Sequence, residues 1–224
     1  MGIGMRNEEF RVLIITGGYV EDALVKRRLA QEAYDMVIAA DHGLDAADRL
    51  HIVTDYILGD FDSAEKSVLE KYRLGSTPME KYPVQKDKTD TQIAIETAIL
   101  HHATYIELIG ATGSRLDHTM ANLSLLLIPL QRKIDACIID SNNKIYLKKE
   151  SFYIEKNSQY GNFVSLLPFD GSVKGLTLKG FQYPLQSYFL SAGSSVGISN
   201  EIVAKQAFVE FDEGILAVFE TRDE

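Results

Sequence analysis

The stretch Tyr105-Ile106-Glu107-Leu108-Ile109-Gly110-Ala111-Thr112-Gly113-Ser114-Arg115-Leu116-Asp117-His118 decides the fold. Its first five residues make a short, mostly apolar run of the kind that forms a strand buried on both faces of a parallel sheet. Two glycines follow and let the backbone turn sharply and approach other groups closely. From Asp117 to about Leu130 the pattern is helical, with Met120, Leu123 and Leu127 on one stripe. A strand that enters a helix through a glycine-rich turn is the joint from which α/β sheets are built.

The same joint recurs upstream. Val12–Thr16 precedes a helical stretch over about Glu21–Tyr34, Met36–Ala40 precedes Leu44–Leu50, and Tyr56–Leu58 precedes Ala64–Tyr72. A further helix is expected over Thr91–His101, where Ala94 and Ala98, and Ile95 and Ile99, repeat at i, i+4. Ala136–Ile139 reads as one more strand of the series. The expectation for residues 1–142 is an α/β domain with a doubly wound, mostly parallel sheet. Beyond Asp140-Ser141-Asn142-Asn143 the period changes to two. Lys144–Lys148, Ser151–Glu155, Asn162–Leu167, Val173–Leu178, Ser195–Ile198, Gln206–Phe211 and Ile215–Glu220 alternate apolar and polar residues between turn formers. Residues 143–224 are therefore expected to form an all-β, sandwich-like domain, with Asp212-Glu213-Gly214 closing a hairpin between the last two strands.

Composition narrows the function classes. The chain has 224 residues, 46% hydrophobic and 25% charged, which is enough to bury a core and argues against disorder. A single cysteine, Cys137, rules out a disulfide scaffold within the chain and a multi-cysteine zinc site. No run approaches the roughly 18 apolar residues of a membrane-spanning helix, so no membrane partner is expected. The opening Met1–Arg6 has no apolar signal core, and Met5 is a candidate start. The formal charge of −9 disfavours nucleic acid as a partner.

Unusual residues gather where strands end. Ligands of open parallel sheets bind outside the carboxyl ends of the strands, and there the sequence places Gly17-Gly18, Asp41-His42-Gly43, Gly59-Asp60-Phe61-Asp62-Ser63 and Gly110–His118. Lys86-Asp87-Lys88-Thr89-Asp90 opens the helix at Thr91. Asp60 and Asp62, two apart in extended chain, point the same way and coexist most easily around a cation; oxygen donors suit Mg²⁺. The plainer reading of Asp62, Ser63, Thr89 and Asp90 is helix capping, and of Arg115 and Asp117 a local ion pair. Arg115 also offers a planar fork for phosphate oxygens. The loop is neither a Walker sequence nor a Gly-x-Gly-x-x-Gly fingerprint. His101-His102 reads as a helix end, and Cys137 as a buried, inert thiol.

Taken in order, Ala40–Gly43, Gly59–Ser63, Lys86–Asp90, Gly110–His118 and Ser199-Asn200 resemble the thiamine pyrophosphokinase family. The resemblance spans nearly the whole chain, including the α/β-then-β order. It implies an enzyme that transfers a pyrophosphoryl group from Mg-ATP to the hydroxyl of thiamine, giving AMP and thiamine diphosphate. It implies that Asp41, Asp60, Asp62 and Asp90 handle Mg²⁺ and the thiamine hydroxyl, with the Asp60/Asp62 pair or Asp90 accepting the hydroxyl proton. ATP is expected to meet Ser63, Lys86, Asp87, Thr89, Gly110, Thr112, Arg115, Asp117 and His118, and the thiamine pyrimidine Ser199 and Asn200. A cytoplasmic homodimer is implied, each active site lying between one subunit's α/β rim and the partner's β domain. Two departures stand out: Asp41-His42-Gly43 replaces the family's more usual Asp-Gly-Gly, and the chain lacks the tryptophan on which animal members stack thiamine. Readings of other classes are a non-catalytic nucleotide or thiamine-phosphate sensor and a Mg²⁺-dependent phosphohydrolase.

Overall fold

The computed structural model describes residues 9–59, 70, 72, 77–81 and 87–223. Asp60, Asp62, Ser63 and Lys86 lie outside the described residues, as does the helix expected over Ala64–Tyr72 apart from Glu70 and Tyr72, which are helical. The chain divides into two compact units, Met1–Ala136 and Cys137–Glu224.

In the first unit the elements are β1 (Arg11–Ile15), α1 (Asp22–Gln31), β2 (Met36–Ala40), α2 (Gly43–Arg49), β3 (Tyr56–Gly59), β4 (Met79–Lys81), α3 (Asp90–Leu100), β5 (Tyr105–Ile109), α4 (Leu116–Leu125) and α5 (Leu127–Gln131). The strands lie in the order β4-β3-β2-β1-β5 and pair in parallel. Val12, Leu13, Ile14 and Ile15 of β1 are fully buried, as continuous apolar runs in a two-sided sheet should be. β4 has no counterpart in the sequence reading, because three residues are too few to show a period. The expected helix over Asp117–Leu130 is two helices. Pro129 lacks the N–H, and its ring would clash with the carbonyl of Leu125, so the first helix ends there.

The starts of the strands are tied by side chains. Asp35 Oδ2 accepts from Arg11 N–H at 2.8 Å while Asp35 N–H donates to the Arg11 carbonyl at 2.9 Å. Asp55 and Val37 repeat the exchange at 2.8 and 2.9 Å, and Thr104 Oγ1 accepts from Phe10 N–H at 2.8 Å. Each clamp closes the backbone groups that a parallel strand leaves open at its entry.

The second unit holds antiparallel strands. β6 (Asp135–Ile139) pairs with β7 (Asn143–Lys148), β7 with β13 (Leu216–Thr221), and β13 with β9 (Phe163–Pro168). A second sheet runs β11 (Leu185–Leu190), β10 (Val173–Lys179), β12 (Gln206–Glu210) and β8 (Phe152–Glu155). Ile154, Leu176 and Val209 of this sheet share one core with Val164, Leu166 and Val218 of the other, which makes the sandwich. Two expectations change. Ser195–Ile198 is a turn, closed by Ile198 N–H to the Ser195 carbonyl at 3.1 Å, and β11 is the strand of that region. Gln206–Glu210 and Leu216–Thr221 are not a hairpin but lie in different sheets. The 212–214 turn bonds instead to Lys174, whose carbonyl accepts from Asp212 N–H at 2.9 Å, because both strands bury apolar faces from opposite sides of one core.

Candidate active site

The order β4-β3-β2-β1-β5 places neighbours of β1 on both sides, so the chain leaves β1 and β5 in divergent directions and opens a crevice at their carboxyl ends. Beyond the strands the two loops are laced together. Thr16 N–H donates to the Ile109 carbonyl at 2.8 Å, Thr16 Oγ1 to the Gly110 carbonyl at 2.5 Å, and Gly18 N–H to the same carbonyl at 2.8 Å. Gly110 has φ +76°, and a Cβ there would stand 2.5 Å from the Thr16 carbonyl oxygen. A Cβ on Gly43 would stand 1.9 Å from the Ile15 carbonyl oxygen, so α2 closes over the end of β1 only with glycine at its first position.

That closure brings Asp41 and His42 to the glycine turn after β1. Asp41 has φ 51°, a left-handed conformation that Asp tolerates better than most residues, and its N–H donates to the Leu58 carbonyl at 2.8 Å. An Asp41 Oδ2 lies 3.4 Å from where a Cβ of Gly17 would be.

From the other side comes the start of α3. Thr89 Oγ1 caps the helix by accepting from Gln92 N–H at 3.2 Å. Lys88 Nζ lies 2.7 Å from Glu96 Oε2, and that bond, first among several causes, holds the Glu96 carboxyl below its ordinary range. From the β5 loop comes Arg115, whose Nη2 and Nε donate to Asp117 at 2.7 and 3.3 Å. This fork lowers the Asp117 carboxyl, and both side chains remain exposed, at 70% and 66%. Asn122 Nδ2 donates to the Ala111 carbonyl at 2.8 Å and pins the loop to α4.

Together these segments line a cavity of about 670 Å³, within the range that holds a small-molecule substrate. Asp41, Thr89, Asp90, Gly110, Thr112, Arg115 and His118, each singled out in the sequence, line it. Asp87 and Asp117 do not. Thr16, Tyr19, Lys88, Ala121 and Asn122 line it as well, and the sequence reading assigned them no role. Tyr19 and Asn122 carry no local signal, since each reaches the cavity only through the meeting of separate loops. Among the described residues no three His, Cys, Asp or Glu side chains form a metal cluster.

In the second unit Ser199 is exposed with φ 54°, and its N–H donates to Ser165 Oγ at 2.9 Å. Asn200 is buried and its amide is committed to backbone. Oδ1 accepts from Tyr183 N–H at 3.0 Å and Glu201 N–H at 2.9 Å, while Nδ2 donates to the Tyr183 carbonyl at 2.8 Å.

Residues 28–138 match the model of the thiamin pyrophosphokinase catalytic domain, and residues 149–216 that of the thiamin pyrophosphokinase vitamin B1 binding domain. The crystal structure of thiamin pyrophosphokinase from Geobacillus thermodenitrificans is 30% identical, covers 96% of this chain and 99% of its own, and superposes with a TM-score of 0.83. The chain belongs to the thiamin pyrophosphokinase family. The Bacillus subtilis thiamine pyrophosphokinase is 28% identical over 192 residues, 86% of this chain and 90% of that protein, and its crystal structure matches with a TM-score of 0.86 at 27% identity over 96% of this chain and 100% of its own. The motif order that suggested thiamin pyrophosphokinase from the sequence is thus borne out at the level of family and fold. The catalytic-domain match contains the Asp41, Thr89–Asp90 and Gly110–His118 walls of the cavity, and the vitamin B1 binding match contains Ser199 and Asn200.

Proposed function

We propose that this chain is an ATP-dependent thiamine diphosphokinase, transferring the pyrophosphoryl group of Mg-ATP to the hydroxyl of thiamine and releasing AMP. The observation that carries this reading is one cavity to which three separated segments bring two carboxylates, Asp41 and Asp90, and two cations, Lys88 and Arg115. Phosphoryl-transfer chemistry asks mainly for alignment and neutralisation of phosphate charge, and this donor set suits both.

The nucleotide is held by the Gly110–Thr112 backbone, Thr89, His118 and the Arg115 fork, with Ser63, Lys86, Asp87 and Asp117 as the further expected contacts. The thiamine oxygen forms a bond to the β-phosphorus, and the bond from that phosphorus to the α–β bridging oxygen breaks, leaving AMP. The hydroxyl proton passes to a carboxylate of the Asp60/Asp62 pair or to Asp90; of these, Asp90 lines the described cavity. The carboxylates Asp41 and Asp90 open on one cavity and suit Mg²⁺, which they, with Asp60 and Asp62, would hold. Bound there, the ion supplies neutralisation of the phosphate oxygens. Ser199 would meet thiamine directly, with Asn200 shaping the turn that presents it.

The protein would act as a cytoplasmic homodimer whose partner contributes the β domain to each site. Incubating purified protein with ATP, Mg²⁺ and thiamine should yield AMP and thiamine diphosphate in equal amounts. Binding without turnover would point to a sensor, and thiamine-independent phosphate release to a phosphohydrolase; either outcome overturns the proposal.

A further inference from the structure

The segment Ala40-Asp41-His42-Gly43 carries a side chain that the proposed reaction has not used. His42 lines the cavity, its side chain 44% exposed, with Nδ1 3.1 Å from Asp45 Oδ2 in the first turn of α2. A backbone bond doubles the link, Asp45 N–H donating to the His42 carbonyl at 3.1 Å. The second Asp45 oxygen, Oδ1, is buried with no hydrogen-bond partner among the described residues. The His42 Cβ sits 3.2 Å from where a Cβ of Gly17 would be, which seats the residue against the glycine turn after β1.

A carboxylate only accepts hydrogen bonds. The ring nitrogen that faces Asp45, Nδ1, therefore carries a hydrogen, and Nε2 is the nitrogen left to hydrogen-bond a bound molecule. What that nitrogen meets follows from its place in the sheet. In dinucleotide-binding β-α-β units of open parallel sheets, a ribose hydroxyl meets a polar group near the carboxyl end of the second strand. Here the second strand is β2, and His42 follows its end.

We propose that His42, oriented by Asp45, forms a hydrogen bond at Nε2 with a ribose hydroxyl of the nucleotide substrate. The inference rests on the reading of the cavity as a nucleoside triphosphate site. His42 is then a binding residue and Asp45 a positioning residue. A glycine at position 42 would offer no group for such a bond.

The test compares ATP, 2′-deoxy-ATP and 3′-deoxy-ATP, by kcat/KM with thiamine and by calorimetric titration of nucleotide binding, in wild type, His42→Asn, His42→Gln and Asp45→Ala. Asn places its amide near Nδ1 and keeps the Asp45 contact but loses Nε2; Gln reaches the Nε2 position. Wild type should prefer ATP over one deoxy analogue by about tenfold. In His42→Asn that preference should vanish through weaker use of ATP, with the KM for thiamine unmoved. His42→Gln should recover part of it, and Asp45→Ala should reduce it without abolishing it. An absent preference in wild type, a preference retained in His42→Asn, or an equal loss for all three nucleotides overturns the proposal. Should His42→Asn fail to fold, the Gln and Asp45→Ala variants carry the same comparison. The titration does not depend on turnover, so a ribose preference without thiamine diphosphate formation would count against the proposed reaction and not against His42.

Discussion

Arg115 and Asp117 form a bidentate pair in full view of solvent, and solvent screening leaves such pairs little weight in stability. The value of Arg115 lies in its fork at the cavity wall. Arg115→Ala should lower kcat/KM for ATP by roughly 10- to 100-fold while thermal melting stays near wild type. A melting shift with unchanged kinetics would reverse that assignment. Glu107 presents the opposite case, a fully buried carboxylate in the middle of β5 that receives Arg28 at 2.8 and 2.7 Å and the Tyr34 hydroxyl at 2.7 Å. Burial first, and then the Glu107 carboxylate, push the Tyr34 phenol well above its ordinary value. Because the folded state keeps this phenol protonated, its contribution is fully present below about pH 10, the ordinary phenol range, and is lost as pH rises beyond it. Between pH 8 and pH 11 the urea midpoint of wild type should therefore fall further than that of Tyr34→Phe; equal falls would refute the assignment. Asn200 joins three backbone groups, and Asn200→Ala should cost about 1–3 kcal/mol in urea unfolding by stranding the Tyr183 and Glu201 N–H groups.

At the scale of elements, the parallel strands were readable because their runs are continuous, and the helices because Ala94/Ala98 and Ile95/Ile99 mark a face. What escaped was whatever depends on partners elsewhere in the chain. The short β4 exists only as a neighbour of β3, and the 212–214 turn looked like a hairpin because a local sequence carries no record of the sheet that each strand joins. The strand-entry clamps belong to this scale too. Asp35→Ala and Asp55→Ala each remove a side-chain acceptor from a strand N–H, and each should cost about 1 kcal/mol or somewhat more. Lying at the opposite strand ends from the cavity, they should leave the KM for ATP unmoved, and their effects should add in the double variant. A KM shift in either variant would show that the clamps reach the site.

For the whole molecule, the two units carry separate chemical assignments: the first holds the cavity, and the second presents Ser199 amid exposed Tyr183, Val196 and Ile198. If the homodimer is the working form, sedimentation should give twice the chain mass. A monomer that turns over thiamine would refute the proposed sharing of sites. The sequence by itself determined the class of each unit and the family, because periodicity, glycine turns and motif order are local properties of the chain. It also brought Asp41, Asp90 and Arg115 into view, since charged residues just past strand ends or at a helix start are visible without knowing the sheet order. Only the tertiary structure decided that Tyr19, Lys88 and Asn122 share the cavity with them, that Asn200 spends its amide on backbone, and that His42 is aimed by Asp45. Those facts depend on which strands stand beside β1 and on how closely Gly43 and Gly110 let loops approach, and such distances are set by packing between segments far apart in the chain.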